Sequence, residues 1–201
     1  MTSSLSQMHA PTPTSQQARL RAVLIDHDGT LVDSEAVHAR HWQELLADYG
    51  HTMTLEEFKQ RHAGISTEAN AATIVERFAL PIVVQELAAR KDNAVAELLS
   101  RSPFPLTRGA REAINSFRVA GLRLAIVSAG GATAARATAT KHFPAGTFET
   151  VVAGEDVRRT KPFPDAYRLA MEQLGVEPHE CVAIEDTPTG MQAALAAGLR
   201  C

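Results

Sequence analysis

The chain has 201 residues, of which 45% are hydrophobic and 21% are charged, the balance of an ordinary globular protein. Its 20 basic and 23 acidic residues are interspersed, and the net charge of −3 gives no electrostatic footprint for nucleic acid. No stretch approaches the roughly 20 continuous apolar residues of a membrane span. Two cysteines are too few for a disulfide framework. Fibrous, membrane-spanning and disulfide-stapled proteins are excluded, and an enzyme or a binding protein remains.

The first 20 residues are rich in Ser, Thr, Gln and Pro and carry few large apolar groups. Such a segment cannot bury enough apolar surface to offset the entropy lost on ordering. We therefore expect residues 1–20 to form a disordered N-terminal tail.

From residue 21 the pattern is that of an α/β protein. Short apolar runs that end in polar residues or glycine predict four buried strands, at Ala22–Ile25, Leu122–Val127, Glu149–Ala153 and Cys181–Ile184. Helical patterns lie between or after them, at Ala110–Val119, Ala132–His142, Pro164–Leu174 and Met191–Ala197. This alternation predicts a Rossmann-like parallel sheet with right-handed crossovers.

A long helical insertion interrupts this pattern directly after the first strand. Apolar residues from Val37 to Tyr49 follow helical spacing, and Thr54 with Glu57 forms a capping-box pattern for a second helix. Two further helices are predicted over Thr67–Phe78 and Val83–Leu99. We expect residues 35–103 to form a small α-helical cap domain over a core made of residues 21–34 and 104–201.

The residues that could perform chemistry stand where the predicted strands end, which is where parallel α/β sheets bind ligands. Strand one ends at Asp26-His27-Asp28-Gly29-Thr30. Alternation along an extended chain points Asp26 and Asp28 to one face and His27 to the other. Strand two ends at Ser128-Ala129-Gly130-Gly131, which offers a hydroxyl and free backbone amides before a helix, a favourable anion site.

The two remaining strands add a cation and further acids. Lys161 lies on a proline-stiffened loop after the third strand, and Glu185 and Asp186 end the fourth. Two unit charges about 4 Å apart repel by roughly 4 kcal/mol at an effective dielectric near 20, so four carboxylates with a single lysine require a divalent cation. All-oxygen ligation favours Mg²⁺ over zinc. Each segment alone is compatible with a turn, a solvated loop or a helix cap, and only their joint occurrence is specific.

Taken together, the four segments resemble the motifs of the haloacid dehalogenase superfamily. The resemblance is to the subgroup of β-phosphoglucomutase-like phosphatases that carry a helical C1-type cap. Its first and fourth motifs are matched most specifically, by DHDGTLVDSE from Asp26 and by AIEDTPTGMQAALAAG around Glu185-Asp186. Ser128 matches the second motif, and Lys161 in KPFPDAY matches the third.

The resemblance assigns a role to each of these residues. It implies that Asp26 is the nucleophile that forms an aspartyl phosphate, and that Asp28 is the general acid and base. Ser128 and Lys161 would neutralise the transferring phosphoryl group. Mg²⁺ would be held by the Asp26 carboxylate, the Asp28 backbone carbonyl, Asp186 and Glu185, the last directly or through water.

The implied activity is Mg²⁺-dependent hydrolysis of a small phosphorylated metabolite, with a sugar phosphate as the expected class. Halide displacement is disfavoured by the acid at Asp28, and phosphonate cleavage would need a cap lysine, for which Lys59 is the nearest candidate. Related sugar-phosphate mutases carry a cap arginine and a lysine after the second motif, where this chain has Thr67 and Ala129-Gly130-Gly131. The missing cations favour a phosphatase. A mutase and a non-catalytic or truncated scaffold protein remain the alternatives.

Substrate specificity in such enzymes resides in the cap, where His38, Trp42, His62 and Thr67 are the candidate substrate contacts. His27 stands where the family usually has an apolar residue, and is either a core histidine or a residue that tunes pH dependence. We expect a cytoplasmic protein, monomeric or weakly dimeric, that engages a small phosphorylated metabolite and neither nucleic acid nor membrane.

The C-terminal segment departs from the family. After Gly198-Leu199-Arg200-Cys201 the family continues into a fifth strand and a final helix. We therefore expect both elements to be absent here, which would leave the fourth strand as an exposed edge.

Overall fold

The sheet is parallel throughout, as the sequence predicts. In a computed structural model, which describes residues 19–201, strands β1 (Ala22–Ile25), β2 (Arg123–Val127), β3 (Thr150–Val152) and β4 (Cys181–Ile184) form one sheet in the order β3-β2-β1-β4. Ala22 pairs with Arg123 on one side and with Cys181 on the other, so that all strands end at the same edge. The predicted tail lies outside the described residues, apart from its last two positions.

Helices cover both faces of this sheet because the strands are apolar on both sides. Alternate residues of β1 enter opposite hydrophobic clusters, with Leu24 in one and Val23 and Ile25 in the other. The two clusters are closed by helices α5 (Ala110–Val119), α6 (Ala132–His142), α7 (Asp165–Leu174) and α8 (Pro188–Ala196). The core is therefore a three-layer α/β/α sandwich, as the alternating pattern indicates.

Helix α8 begins three residues before its predicted start at Met191. The Thr187 side chain accepts a hydrogen bond from the Gly190 N–H over 3.1 Å and caps the helix. Pro188 fits the first turn because the N–H that proline lacks would have no helical partner there. The cap places the helix immediately after the acidic pair Glu185-Asp186.

The inserted segment folds into four helices, α1 (Glu35–Ala47), α2 (Leu55–Arg61), α3 (Thr67–Phe78) and α4 (Val84–Arg101). Thr54 caps α2 as predicted, since its hydroxyl accepts the Glu57 N–H over 3.1 Å. Trp42 and Ile74 are among the buried residues of a hydrophobic cluster made entirely by this segment. The four helices thus have a core of their own.

Two chain crossings connect this helical segment to the sheet, and they run side by side. Val32 forms an antiparallel bridge with Leu106, and the Asp33 N–H donates to the Pro105 carbonyl over 2.9 Å. The Thr107 N–H donates to the Leu31 carbonyl over 3.1 Å. This pairing fixes the helical segment above the ends of the strands.

Strand β4 lies at the sheet edge, as predicted, and residues 19–201 contain no fifth full strand. The edge is nevertheless partly covered, which the sequence analysis did not expect. Arg200 forms a parallel bridge with Val182, and its carbonyl accepts the Ala183 N–H over 2.8 Å. Within the same range, no helix has both the length and the hydropathy needed to cross a bilayer.

Candidate active site

A cavity of about 150 Å³ separates the strand ends from the helical segment. A bound water needs about 10–15 Å³ of such space, so the cavity has room for a ligand with on the order of ten heavy atoms. The sheet with its covering helices, called the core below, and the inserted helical segment, called the cap below, both line it. The core contributes Asp26, Asp28, Ala129, Gly130, Gly131 and Glu155, and the cap contributes His38, Trp42, His62, Thr67, Asn70, Lys91 and Asp92, among others.

Lys161 is buried at the base of the site and joins two of the carboxylates. Its ammonium donates to Asp26 Oδ1, to Glu185 Oε1 over 2.5 Å and to the Val127 carbonyl over 2.9 Å. Burial disfavours the charged form, but the carboxylates of Asp26 and Glu185 raise the pKa of Lys161 above its usual range. The lysine is therefore a fixed positive charge beside Asp26.

Hydrogen-bonding side chains surround the carboxylate of Asp28. Its Oδ1 accepts from the Ser34 hydroxyl over 2.6 Å and contacts His38 Nε2 at 3.0 Å. Its Oδ2 lies 3.4 Å from the Ser128 hydroxyl. Burial alone would raise the pKa of Asp28, but the neighbouring imidazoles of His27 and His38 lower it well below its usual range. The Asp28 carboxylate is held ionised and oriented next to Asp26.

His27 is fully buried. The expectation that its side chain points away from Asp26 and Asp28 is wrong, because its ring contacts Asp28. Its Nε2 lies 2.9 Å from the Thr138 hydroxyl on helix α6. Its Nδ1 lies 3.1 Å from Asp28 Oδ2, although the angle does not satisfy hydrogen-bond geometry. The chain turns at Asp28 instead of continuing as an extended strand, and this turn brings the neighbouring side chains together.

The segment after β2 is also less open than its sequence suggests. The Ser128 hydroxyl accepts the Gly130 N–H over 2.9 Å, and Glu155 Oε2 accepts the Ala132 N–H over 2.7 Å at the start of α6. Of the amides predicted to be free in Ser128–Gly131, that of Gly130 is therefore engaged. The first amide of α6 is engaged as well, because a carboxylate from the segment after β3 reaches this helix terminus.

Asp26 also belongs to a cluster of three carboxylates. One oxygen each from Asp26, Glu185 and Asp186 lies within 4.8 Å of the others. Burial, together with the negative charge of Asp26, raises the pKa of Asp186 to about 6. Glu185 Oε2 is buried and has no hydrogen-bond partner among residues 19–201. Such a cluster of hard oxygen donors fits Mg²⁺, and the Asp28 carboxylate lies outside it.

Two glycines make room for these acids. A Cβ on Gly29, whose φ is +88°, would lie 2.2 Å from Asp186 Oδ2, and one on Gly190 would lie 2.0 Å from Glu185 Oε2. Both distances are far below a van der Waals contact. The glycines in the first and fourth motifs are therefore required for close approach to the carboxylates.

All four candidate cap residues line the cavity, but each makes a different set of contacts. His38 contacts Asp28, and burial together with the charge of Lys91 lowers its pKa. Trp42 is buried and belongs to the cap core. His62 contacts Asn70 at 2.8 Å, and the Thr67 hydroxyl donates to Asp92 Oδ1 over 3.0 Å.

Sequence analysis missed the cap cation. Lys91 on α4 is buried, lines the cavity and donates to the Thr67 hydroxyl over 3.3 Å. Lys59, the cap lysine that was considered, instead pairs with Glu35 at 2.9 Å, and 46% of its side chain is exposed. The Lys91 side chain therefore supplies a positive charge beside Thr67 from another helix. This corrects the inference that the cap lacks a cation at the place where related mutases carry an arginine. An apolar helical pattern with one inward-facing lysine was the available signal.

Tyr167 was also missed. Its hydroxyl donates to Glu185 Oε1 over 2.6 Å, and its ring lies 5.3 Å from the Lys161 ammonium. Its position in KPFPDAY, six residues after Lys161, places it on α7 facing the sheet. Nothing in the sequence specifies that its hydroxyl reaches an acid at the end of β4.

The chain has relatives in both sequence and structure. It is 32% identical over 184 residues to the fructose-1-phosphate phosphatase YqaB of Escherichia coli (strain K12), covering 90% of this chain and 94% of that protein. It is 32% identical over 191 residues to hexitol phosphatase A of the same organism, covering 90% and 81%. The crystal structure of CbbY from Rhodobacter sphaeroides in complex with phosphate superposes with a TM-score of 0.77 at 31% identity, covering 90% and 84%.

The family comparison covers the same region as the geometry. The haloacid dehalogenase-like hydrolase family matches residues 20–198, which include both the sheet and the inserted helices. The match agrees with the parallel sheet and with the contacts that join the four motifs at its edge. The chain therefore belongs to the haloacid dehalogenase-like hydrolase family.

Proposed function

We propose that this hydrolase is a Mg²⁺-dependent phosphatase that cleaves small phosphorylated metabolites, sugar phosphates in particular, through a phosphoaspartyl intermediate at Asp26. The observation that carries the proposal is the pairing of Asp26 with the buried Lys161, beside an oriented Asp28, where both aspartates line a cavity roofed by helices. The relatives named for fructose 1-phosphate and hexitol phosphates support the substrate class. The division into a core (residues 21–34 and 104–201) and a cap (35–103) is part of this proposal.

In this proposal, Asp26 attacks the phosphorus atom and displaces the alcohol. Lys161 orients the attacking carboxylate, since its ammonium donates a hydrogen bond directly to Asp26 Oδ1. Its charge also lies where negative charge develops on the phosphoryl oxygens, as phosphoryl transfer requires. Ser128 supplies a hydroxyl on the opposite side, next to Asp28.

Asp28 would transfer the protons. It gives a proton to the departing alkoxide and later takes one from the water that hydrolyses the phosphoaspartate. Its contacts with Ser34 and His38 hold the carboxyl group in place for both steps. Because those contacts favour the ionised form, Asp28 reaches its acid form when substrate brings additional negative charge beside it.

The residues that would hold Mg²⁺ are Asp26, Asp186 and Glu185, with the backbone carbonyl of Asp28. When bound, the ion neutralises the repulsion among these carboxylates and the phosphate charge. Thr30 donates to Asp186 Oδ1 over 3.0 Å and orients that ligand. Tyr167 and Lys161 hold Glu185 Oε1 and leave Oε2 for the ion or for its water.

The cap explains how water would be excluded while the ester reacts. The turn that contains Gly64 packs onto Thr187 beside the acidic pair, so the cap rests on the fourth motif. Closure about the paired crossings near Asp33 and Pro105 would seal the cavity. The cytoplasmic location and the monomeric or weakly dimeric state stay predictions.

A phosphate-release assay tests the proposal. Purified protein is incubated with Mg²⁺ and a panel of phosphorylated metabolites that includes β-glucose 1-phosphate with a bisphosphate primer. We expect stoichiometric release of inorganic phosphate, and chelation of the metal should abolish it. Efficient formation of glucose 6-phosphate without bulk phosphate release would instead support the mutase. The absence of any turnover on the whole panel would support a non-catalytic scaffold.

A further inference from the structure

His62 is a buried cap histidine whose ring is fixed on one side only. It lies at the end of α2, is 1% exposed and lines the cavity. Its Nδ1 contacts Asn70 Oδ1 at 2.8 Å. Its Nε2 is buried and has no hydrogen-bond partner in the part of the chain that the structure describes. A buried polar atom of this kind requires a partner, and the residue that carries it borders a ligand cavity.

The hydrogen bonds of Asn70 determine which nitrogen of His62 carries the proton. Asn70 Nδ2 donates to the His62 carbonyl over 2.9 Å and to the Ile65 carbonyl over 3.3 Å, so the amide nitrogen faces two acceptors. Its Oδ1 must therefore be the atom that meets the ring, and an oxygen accepts. Nδ1 of His62 carries the hydrogen, and the neutral ring leaves Nε2 as an acceptor.

The protonation state of His62 agrees with this assignment. Burial lowers the pKa of the imidazole and outweighs the opposing contribution of the Asn70 hydrogen bond. With Nε2 unprotonated, the atom accepts a hydrogen bond and repels an anion. A ligand group that meets it must be a donor.

The cavity that His62 borders is also lined by a cap lysine and a carboxylate that pair with each other. Lys91 Nζ lies 3.9 Å from Asp92 Oδ1, and the Thr67 hydroxyl bridges the two by accepting from Lys91 and donating to Asp92. A second phosphate would meet this carboxylate as well as the ammonium. A substrate hydroxyl group can both donate and accept a hydrogen bond. It therefore complements a cavity wall on which hydrogen-bond donors and acceptors alternate.

We propose that His62, oriented by Asn70, is a specificity-determining residue that accepts a hydrogen bond from a hydroxyl group on the carbon skeleton of the substrate, and thereby selects polyol phosphates over esters with a bare alkyl chain. This inference rests on the proposed phosphatase function and adds the part of the substrate that the cap recognises.

The test compares two six-carbon phosphate monoesters, sorbitol 6-phosphate and n-hexyl phosphate, which differ in their hydroxyl groups. The readout is the ratio of kcat/KM for the polyol ester to kcat/KM for the alkyl ester. We expect a ratio well above one in the wild type and a fall of about tenfold in His62→Phe, the size of one lost hydrogen bond to a buried partner. His62→Gln should recover most of the ratio, since its amide oxygen reaches the place of Nε2.

His51→Phe is the matched control, because His51 is a cap histidine whose ring packs at a tilt against Phe78 and which is not among the residues that line the cavity. Its ratio should equal that of the wild type. An unchanged ratio in His62→Phe, or an equal fall in His51→Phe, would overturn the proposal. So would a wild type that treats both esters alike.

Calorimetric dissociation constants for the two esters, measured on the same variants with Mg²⁺, separate this inference from the proposed function. If the wild type releases no phosphate from either ester, the phosphatase proposal fails. The affinity ratio then decides the hydroxyl contact without turnover. A tenfold loss of affinity ratio in His62→Phe supports the contact, and an unchanged ratio rejects it.

Discussion

The hydroxyl of Tyr167 donates a hydrogen bond of 2.6 Å to Glu185 Oε1, which ties the first turn of helix α7 to the acid at the end of β4. The tyrosine is fully buried, and its ring lies 5.3 Å from the Lys161 ammonium. It therefore supports both the lysine and the carboxylate that flank Asp26. This contact makes a residue of the hydrophobic core part of the site.

Replacement Tyr167→Phe should weaken the metal site without removing any ligand. Losing a residue that orients a ligand typically lowers metal affinity by 10–100-fold, so the Mg²⁺ concentration for half-maximal activity should rise about tenfold. The free energy of unfolding should fall by about 1 kcal/mol. A Mg²⁺ titration of activity measures the effect. Tyr49→Phe, at the only other tyrosine, is the control, and an unchanged titration midpoint in Tyr167→Phe would contradict the assigned role.

Gly64→Ala should impair cap closure. An added Cβ would lie 2.7 Å from Thr187 Oγ1, so the cap turn would have to move away from the fourth motif. We expect kcat/KM to fall by about tenfold or more, as displacements near 1 Å can cost up to a hundredfold. Gly50→Ala has a comparable φ of +76° but meets no atom within 4 Å. It should therefore lose stability with little loss of activity. Equal activity losses in the two variants would show that backbone strain, and not the contact, is responsible.

Asp92→Asn should make the site more tolerant of a second phosphate. The substitution removes the negative charge 3.9 Å from Lys91 Nζ and leaves the ammonium unbalanced. Because 58% of the Asp92 side chain is exposed, screening limits the gain to about threefold to tenfold. The measured quantity is kcat/KM for fructose 1,6-bisphosphate relative to fructose 1-phosphate. Glu97→Gln, on the exposed side of the same helix, should leave this ratio unchanged, and no rise in Asp92→Asn would contradict the charge-balance argument.

Much of the fold follows from the sequence because each strand is a short apolar run with a sharp polar end. Strand β1 and helices α3, α5 and α6 have the predicted bounds. The grouping of the acids also follows, since parallel strands deliver their carboxyl ends to one edge. Other bounds differ by one or two residues, and the predicted start of α8 is three residues too late, because Thr187 and Pro188 provide a capping signal that the apolar pattern does not include.

The missing parts of the site depend on distances that periodicity does not encode. Lys91 approaches Thr67 across the α3–α4 packing, and Glu155 reaches the Ala132 N–H from a separate loop. The contact between His27 and Asp28 depends on a local turn of the chain after β1. Spacing along the chain indicates which face a residue occupies, but it does not fix which side chain from another element meets it there.

The most direct test of the proposed mechanism is whether Asp26 becomes phosphorylated during turnover. Wild-type protein, Asp26→Asn and the control Asp48→Asn, at the exposed end of α1, are assayed for Mg²⁺-dependent phosphate release from an aryl phosphate and quenched with acid for mass spectrometry. We expect a phosphorylated peptide containing Asp26 in the wild type and in Asp48→Asn. In Asp26→Asn we expect no such peptide and a fall in kcat of at least about a thousandfold. Undiminished turnover in Asp26→Asn, or a phosphoryl group on another residue, would contradict the role of Asp26 as nucleophile.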